Sequence, residues 1–335
     1  MSLQDMSPPS MSTTQGTEAD PAPTRVAALF IGAIMLGSAI GLIAPDAGKA
    51  VSSNQDTTLL IMISLLFFEV SLGTVFKSLS NLKFITLAWS ANFVVIPVLG
   101  LAIASLILPH EPLLFTGLMI YFLAPCTDWF LGFTKMARGD TGLGLALIPV
   151  NILSQILLFP LWLWLLTKQS GLVDVAMIPG ILVQWFLLPI VMAQVLRFGL
   201  EKLMSHSAFE RFLGRIGQII ALVLVVLIVQ IFAANIGVIA ERIEVFALIA
   251  VAVLLFFTAT FVVGEGFARL GRLAYPQRAL LGMTMAARNA PLMLALTAAA
   301  MPDQPLILAA IVVGMLVEIP LLAVLKEVLL RREND

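Results

Sequence analysis

The chain has 335 residues, 60% hydrophobic and only 12% charged, with a mean hydropathy of +1.03 and a formal net charge of −1. No water-soluble domain of this size has that composition, so its solvent must be the bilayer. A single cysteine, Cys126, excludes an internal disulfide, and the lack of a GxxxxGK[ST] loop excludes an ATPase motor within the chain.

Residues 1–25 contain Met, Ser, Pro, Thr, Gln and acids with no apolar run, and predict a disordered tail. They lack the basic start and apolar core of a signal peptide. Ten apolar runs follow, each long enough to span a membrane: 26–44, 57–75, 84–108, 113–134, 144–166, 175–196, 216–236, 245–264, 277–300 and 305–325. Residues 326–335 predict a second tail. The expected fold is all-α and integral to the membrane, one transporter domain over 26–325. In the first run Gly37 and Gly41 form a small-xxx-small pair, suited to close helix packing or to a homodimer seam. His110 and His206 fall in predicted loops, leaving no metal-ligand cluster.

An even number of spans puts both ends on one side. With these limits fifteen Lys and Arg residues lie on that side and three, Lys49, Lys168 and Arg242, on the other. Positively charged loops stay inside, so both termini are expected in the cytoplasm of a plasma or inner membrane protein.

Four charges interrupt the apolar runs: Glu69, Asp128, Arg288 and Glu318. Each costs roughly 2.5–3.5 kcal/mol at mid-membrane, so a protein that retains them has a use for them. Two of the four sit beside mid-span prolines. The fourth run reads FLAPCTDWFLGF around Pro125, and the ninth reads MAARNAPLMLAL around Pro291. Proline removes a backbone donor, and irregular backbone at membrane depth survives only inside protein or a wet cavity. Paired interrupted helices in matching positions of two halves mark a transporter site, and runs four and nine are five apart. The pattern predicts two inverted five-helix repeats whose broken helices cross. QILLFPLWLWL (155–165) and MLVEIPLLAVL (315–325) share Pro and Leu offsets, in support of the repeat.

On these residues the chain resembles the bile acid:sodium symporter superfamily, and within it the arsenite efflux permeases. The matching segments are Asn92-Phe-Val-Val-Ile-Pro97, Cys126 fourteen residues before Asp140 of ARGD, Asn151 with Gln155, Asn289, and Val317-Glu318-Ile319-Pro320. The resemblance implies a panel of spans 1, 2, 6 and 7 and a core of spans 3–5 and 8–10 that move against each other. It also carries departures. Pro291 stands where the permeases have a glutamate, and Arg288 replaces the first Asn of their pair. Phe130, Leu131, Gly144, Ile148 and Thr284 occupy positions that hold sodium ligands in the bile acid branch, so a proton is the expected coupling ion more than sodium.

Several roles follow for each residue. Arg288, always charged and rich in donors, suits an anion or an oxygen-rich solute. It also suits a fixed replacement for sodium, or an internal ion pair with Asp128. Asp128, Glu318 and Glu69 are candidates for proton carriage. In the arrangement that the resemblance implies, Glu69 faces the others from the panel. Cys126 offers a thiol to soft As(III). Thr127, Asn92, Asn151, Gln155 and Asn289 offer neutral hydrogen bonds to solute hydroxyls or between helices. The reading is a secondary transporter and not an enzyme, without cofactor, metal or nucleic-acid partner. Its expected partners are the bilayer, a coupling ion and a small solute. That solute is arsenite leaving against protons or, as the alternative, an organic anion entering with an ion.

Overall fold

A computed structural model describes residues 21–69, 81–127, 129–167, 180 and 183–333. Asp128 and most of the tail 1–25 lie outside the described residues. Fourteen α-helices and two π-helical turns occur among them, and no strand. They are α1 (Pro21–Ile43), α2 (Pro45–Ser52), α3 (Gln55–Glu69), α4 (Leu82–Ser90), α5 (Ile96–Ile107), α6 (Pro112–Phe122) and α7 (Phe130–Met136). There follow α8 (Thr141–Thr167), α9 (Leu188–Leu203), α10 (His206–Ala240), α11 (Ile243–Gly271), α12 (Tyr275–Ala286), α13 (Ala290–Ala300) and α14 (Pro305–Glu333). The π-turns are Ala91–Val95, which joins α4 to α5, and Val183–Leu187, which leads into α9.

Helix starts follow the sequence closely. Pro112, Pro276, Pro291 and Pro305 all sit in a first turn, where the missing N–H costs nothing and the fixed φ suits the helix, while Pro97 and Pro189 follow the two π-turns inside longer helical spans. Asn81 and Asp140 cap α4 and α8 by accepting from Phe84 N (3.1 Å) and Leu143 N (3.0 Å).

Among the described residues six helices are long and apolar enough to cross a membrane, or seven if α2 and α3, bent by 42°, count as one. That is fewer than ten uninterrupted spans. Runs four and nine are split into α6/α7 and α12/α13, and α1 contributes only a shorter apolar stretch, Ala28–Ile43. Helical structure also overruns both predicted tails. α1 starts at Pro21 rather than 26, and α14 continues through Glu333 rather than ending at 325. At the second end the reason is an ionic clasp: Glu265 of α11 accepts from Arg278 of α12 and from Arg332 of α14 (2.9 Å), while Glu333 meets Arg138 (3.0 Å). α10 likewise begins at His206, ten residues before its predicted start.

The helices pack in two groups. α1 lies along α10, and α3 packs on α9 and α10. Glycine makes the first contact close: a Cβ on Gly37 would meet Val229 O at 2.6 Å, and one on Gly41 would meet Ala233 O at 2.4 Å. The small-residue pair therefore serves helix packing within the chain. In the second group α14 packs on α6 and α13, and α11 on α5, α12 and α14. α3 and α10 bring the first group against α13 and α14 of the second.

Candidate functional site

The two broken segments cross, and each satisfies the backbone groups the other has freed. Cys126 N donates to Ala287 O (3.0 Å) and Asn289 N to Ala124 O (2.8 Å), a short antiparallel bridge between Pro125 and Arg288. An unsatisfied backbone group costs several kcal/mol in a bilayer, so this exchange is what permits both breaks. Pro125 stands in the bridge itself. Pro291 opens α13, and the Asn289 side chain caps that helix by accepting from Leu292 N (3.3 Å).

Glu318 pins the crossing. Its fully buried carboxylate accepts from Tyr121 Oη (2.8 Å), Trp129 Nε1 (3.0 Å) and the backbone N of Arg288 (2.9 Å). One side chain of α14 thus holds the residues on both sides of the first break and the middle of the second. These partners come from the two broken segments and not from α14 itself. Tyr121 and Trp129 were not singled out from the sequence; both aromatics carry a polar handle beside the FLAPCTD break, which was the available signal.

Arg288 is fully buried. Its guanidinium donates to Phe122 O (3.0 Å), Thr284 O (2.7 Å), Met285 O (2.8 Å) and, at 3.4 Å, Asn92 Oδ1. It lies over the Phe256 ring at 5.6 Å. Asn92, in the π-turn after α4, also donates to Thr284 Oγ1 (3.1 Å), tying the third span to the ninth. Among the described residues no carboxylate accepts from the guanidinium. The expected pair with Asp128 lies outside them.

A cavity of about 230 Å³ separates the crossing from the other helix group. Thr127, Asn289 and Leu292 form its wall on the crossing, Ile148 and Ile152 of α8 one side, and Leu66, Phe67 and Glu69 of α3 with Leu213 of α10 the opposite wall. Asn289 Nδ2 donates to Thr127 Oγ1 (2.9 Å), so the two polar groups of the crossing wall form one unit. Across from them Gly217 makes room for Glu69: a Cβ there would lie 3.2 Å from Glu69 Oε1. The end of α3 is held by α9, because Arg197 donates to Phe68 O (2.7 Å) and Glu69 O (3.1 Å), and Gln194 to Phe67 O (2.8 Å). Arg197, counted from sequence with the loop charges, is buried and stacked near Phe209 at 5.3 Å.

The structure thus brings Thr127, Asn289 and Glu69 to one cavity. Cys126 immediately precedes Thr127 but is buried and does not line that cavity. Arg288, Asn92 and Glu318 lie behind the wall, within the crossing. Asn151 and Gln155 lie one turn apart on α8. Both are buried, and neither amide has a hydrogen-bond partner among the described residues. Gln155 lines a second cavity of about 10 Å³, barely the size of one water.

Comparison with known proteins places the chain in a family. Residues 57–242, more than half of the chain, match the Sodium Bile acid symporter family. The arsenical-resistance protein Acr3 of Corynebacterium glutamicum is 28% identical over 244 residues, covering 69% of this chain. The match spans 65% of that relative's own length.

Proposed function

Because the chain belongs to the Sodium Bile acid symporter family, we propose that it exports arsenite or a related metalloid hydroxide in exchange for protons. The likeness to an arsenical-resistance protein supports the substrate class. The observation that carries the reading is the cavity wall: Glu69 faces the Thr127–Asn289 pair, and no Lys or Arg is among the described lining residues. Such a wall suits a small neutral hydroxide or a proton.

In this scheme the solute enters the cavity from the cytoplasm and hydrogen-bonds to Thr127 Oγ1, the Asn289 amide and the Glu69 carboxylate. The Cys126 thiol, one residue behind the wall, supplies the soft ligand when the two helix groups shift. The unpartnered amides of Asn151 and Gln155 receive the solute's hydroxyls further along α8. After release outside, Glu69 takes up a proton and carries it inward on the return. A neutral solute leaving while one proton enters moves one charge, which the membrane potential drives by about 2.3 kcal/mol per 100 mV. Ten crossings, two of them broken, inverted five-helix repeats and cytoplasmic termini complete the reading. In it α1, α3, α9 and α10 act as the panel and the remaining long helices as the moving core.

The test is arsenite flux in proteoliposomes under an imposed pH gradient, with sodium absent. Flux that follows the gradient and is lost in Cys126→Ala supports the proposal. An absence of arsenite flux, together with uptake of a carboxylate driven by sodium, would refute it.

A further inference from the structure

Three of the four oxygens around the Arg288 guanidinium are backbone carbonyls at the ends of interrupted helices. Phe122 is the last residue of α6, and Thr284 and Met285 lie in the last turn of α12. The fourth is Asn92 Oδ1. Each helix C-terminus carries roughly −0.5 elementary charge, so two ends that converge present about one negative charge in all. In transporters with broken helices, unwound carbonyls and half-helix C-termini of this kind coordinate mobile cations.

We propose that Arg288 is a tethered cation: its side chain permanently fills a cation-binding cage made by α6, α12 and Asn92. The crossing is then neutralised without any bound metal ion, in every step of the cycle. This explains why so costly a residue is buried beside carbonyls, where its Nε has no partner among the described residues, instead of pointing into the cavity. The cage belongs to the crossing whatever solute is carried, so the inference does not rest on the arsenite reading. Emptying the cage by mutation creates a site for an exogenous monovalent cation, and guanidinium ion itself is the size-matched probe.

The experiment measures thermal unfolding of the purified full-length chain in detergent, which is blind to substrate. Wild type is expected to unfold at the same temperature in sodium, potassium and choline chloride. Arg288→Ala unfolds at a lower temperature, and millimolar guanidinium raises it by about 4 °C or more, growing with the logarithm of concentration above the dissociation constant as mass action requires, while leaving wild type unmoved. Arg288→Gln keeps hydrogen-bond donors without charge and serves as the second variant, rescued in the same way. Three results would overturn the proposal: a sodium-specific shift of wild type, Arg288→Gln as stable as wild type with no added cation, or no guanidinium response in either variant.

Discussion

Glu69 and Glu318 are both single carboxylates at the membrane depth of apolar helices, yet they live in opposite surroundings. Glu318 is fully buried and saturated by three donors from two broken helices. Glu69 is only partly buried, at the end of α3, and looks into the cavity. The chain thus divides the labour of intramembrane charge. Glu318 holds the two broken segments together, and under the proposed function Glu69, which lines the cavity, is the group that meets a proton or solute. Sequence made the two look alike, because cost at mid-membrane is the same for both until the partners are known.

The first way to break this comparison is to remove the pin. Glu318→Ala leaves the Tyr121 hydroxyl, the Trp129 indole N–H and the Arg288 N–H buried without an acceptor. At about 1–3 kcal/mol each, the loss is roughly 3–9 kcal/mol, enough to unfold a typical domain. Thermal unfolding in detergent should show a large drop, or no folded protein at all. A stable Glu318→Ala protein would mean that the crossing is held by its backbone bridge alone.

A smaller effect tests the packing that lies away from both carboxylates. Gly41→Val drives a side chain into Ala233 O and should cost roughly 1–3 kcal/mol by forcing α1 off α10. The check is again the unfolding temperature, with arsenite flux reduced in proportion to the folded fraction. Tyr121→Phe has an effect of comparable size or smaller. It removes one of three donors to Glu318 and should cost about 1.5–3 kcal/mol if the carboxylate is charged, or about 0.5–1.5 if it is neutral, so the size of the shift reports the state of the pin.

Most of what positions the site was legible in the sequence. Pro125 and Pro291, each beside polar residues, located the two breaks because a missing donor has few tolerable places in a bilayer. Gly37 and Gly41 located a close contact, though not that the partner would be α10. What stayed hidden depends on contacts between distant segments. Nothing local to Val317-Glu318-Ile319 tells that Tyr121 and Trp129 reach it. Gly217 leaves no periodic signal that it faces Glu69. Arg197 read as one more cytoplasmic charge, because a count of loop charges does not see a side chain turning back to cap α3. Cys126 shows the converse: its spacing to Asp140 picked out a functional candidate, but spacing carries no information about which side of the crossing a thiol faces.

The smallest expected effect on stability comes with the largest on transport, and it tests the central claim most directly. Glu69→Gln keeps the size of the side chain and one of its two acceptor oxygens, so its unfolding temperature should stay within about 2 °C of wild type, a change of under 1 kcal/mol. Measured in proteoliposomes, arsenite flux driven by a pH gradient should fall at least tenfold, the factor that about 1.4 kcal/mol represents. If Glu69→Gln protein folds normally and its gradient-driven flux equals that of wild type, the cavity between α3 and the crossing is not the route by which protons drive this transporter.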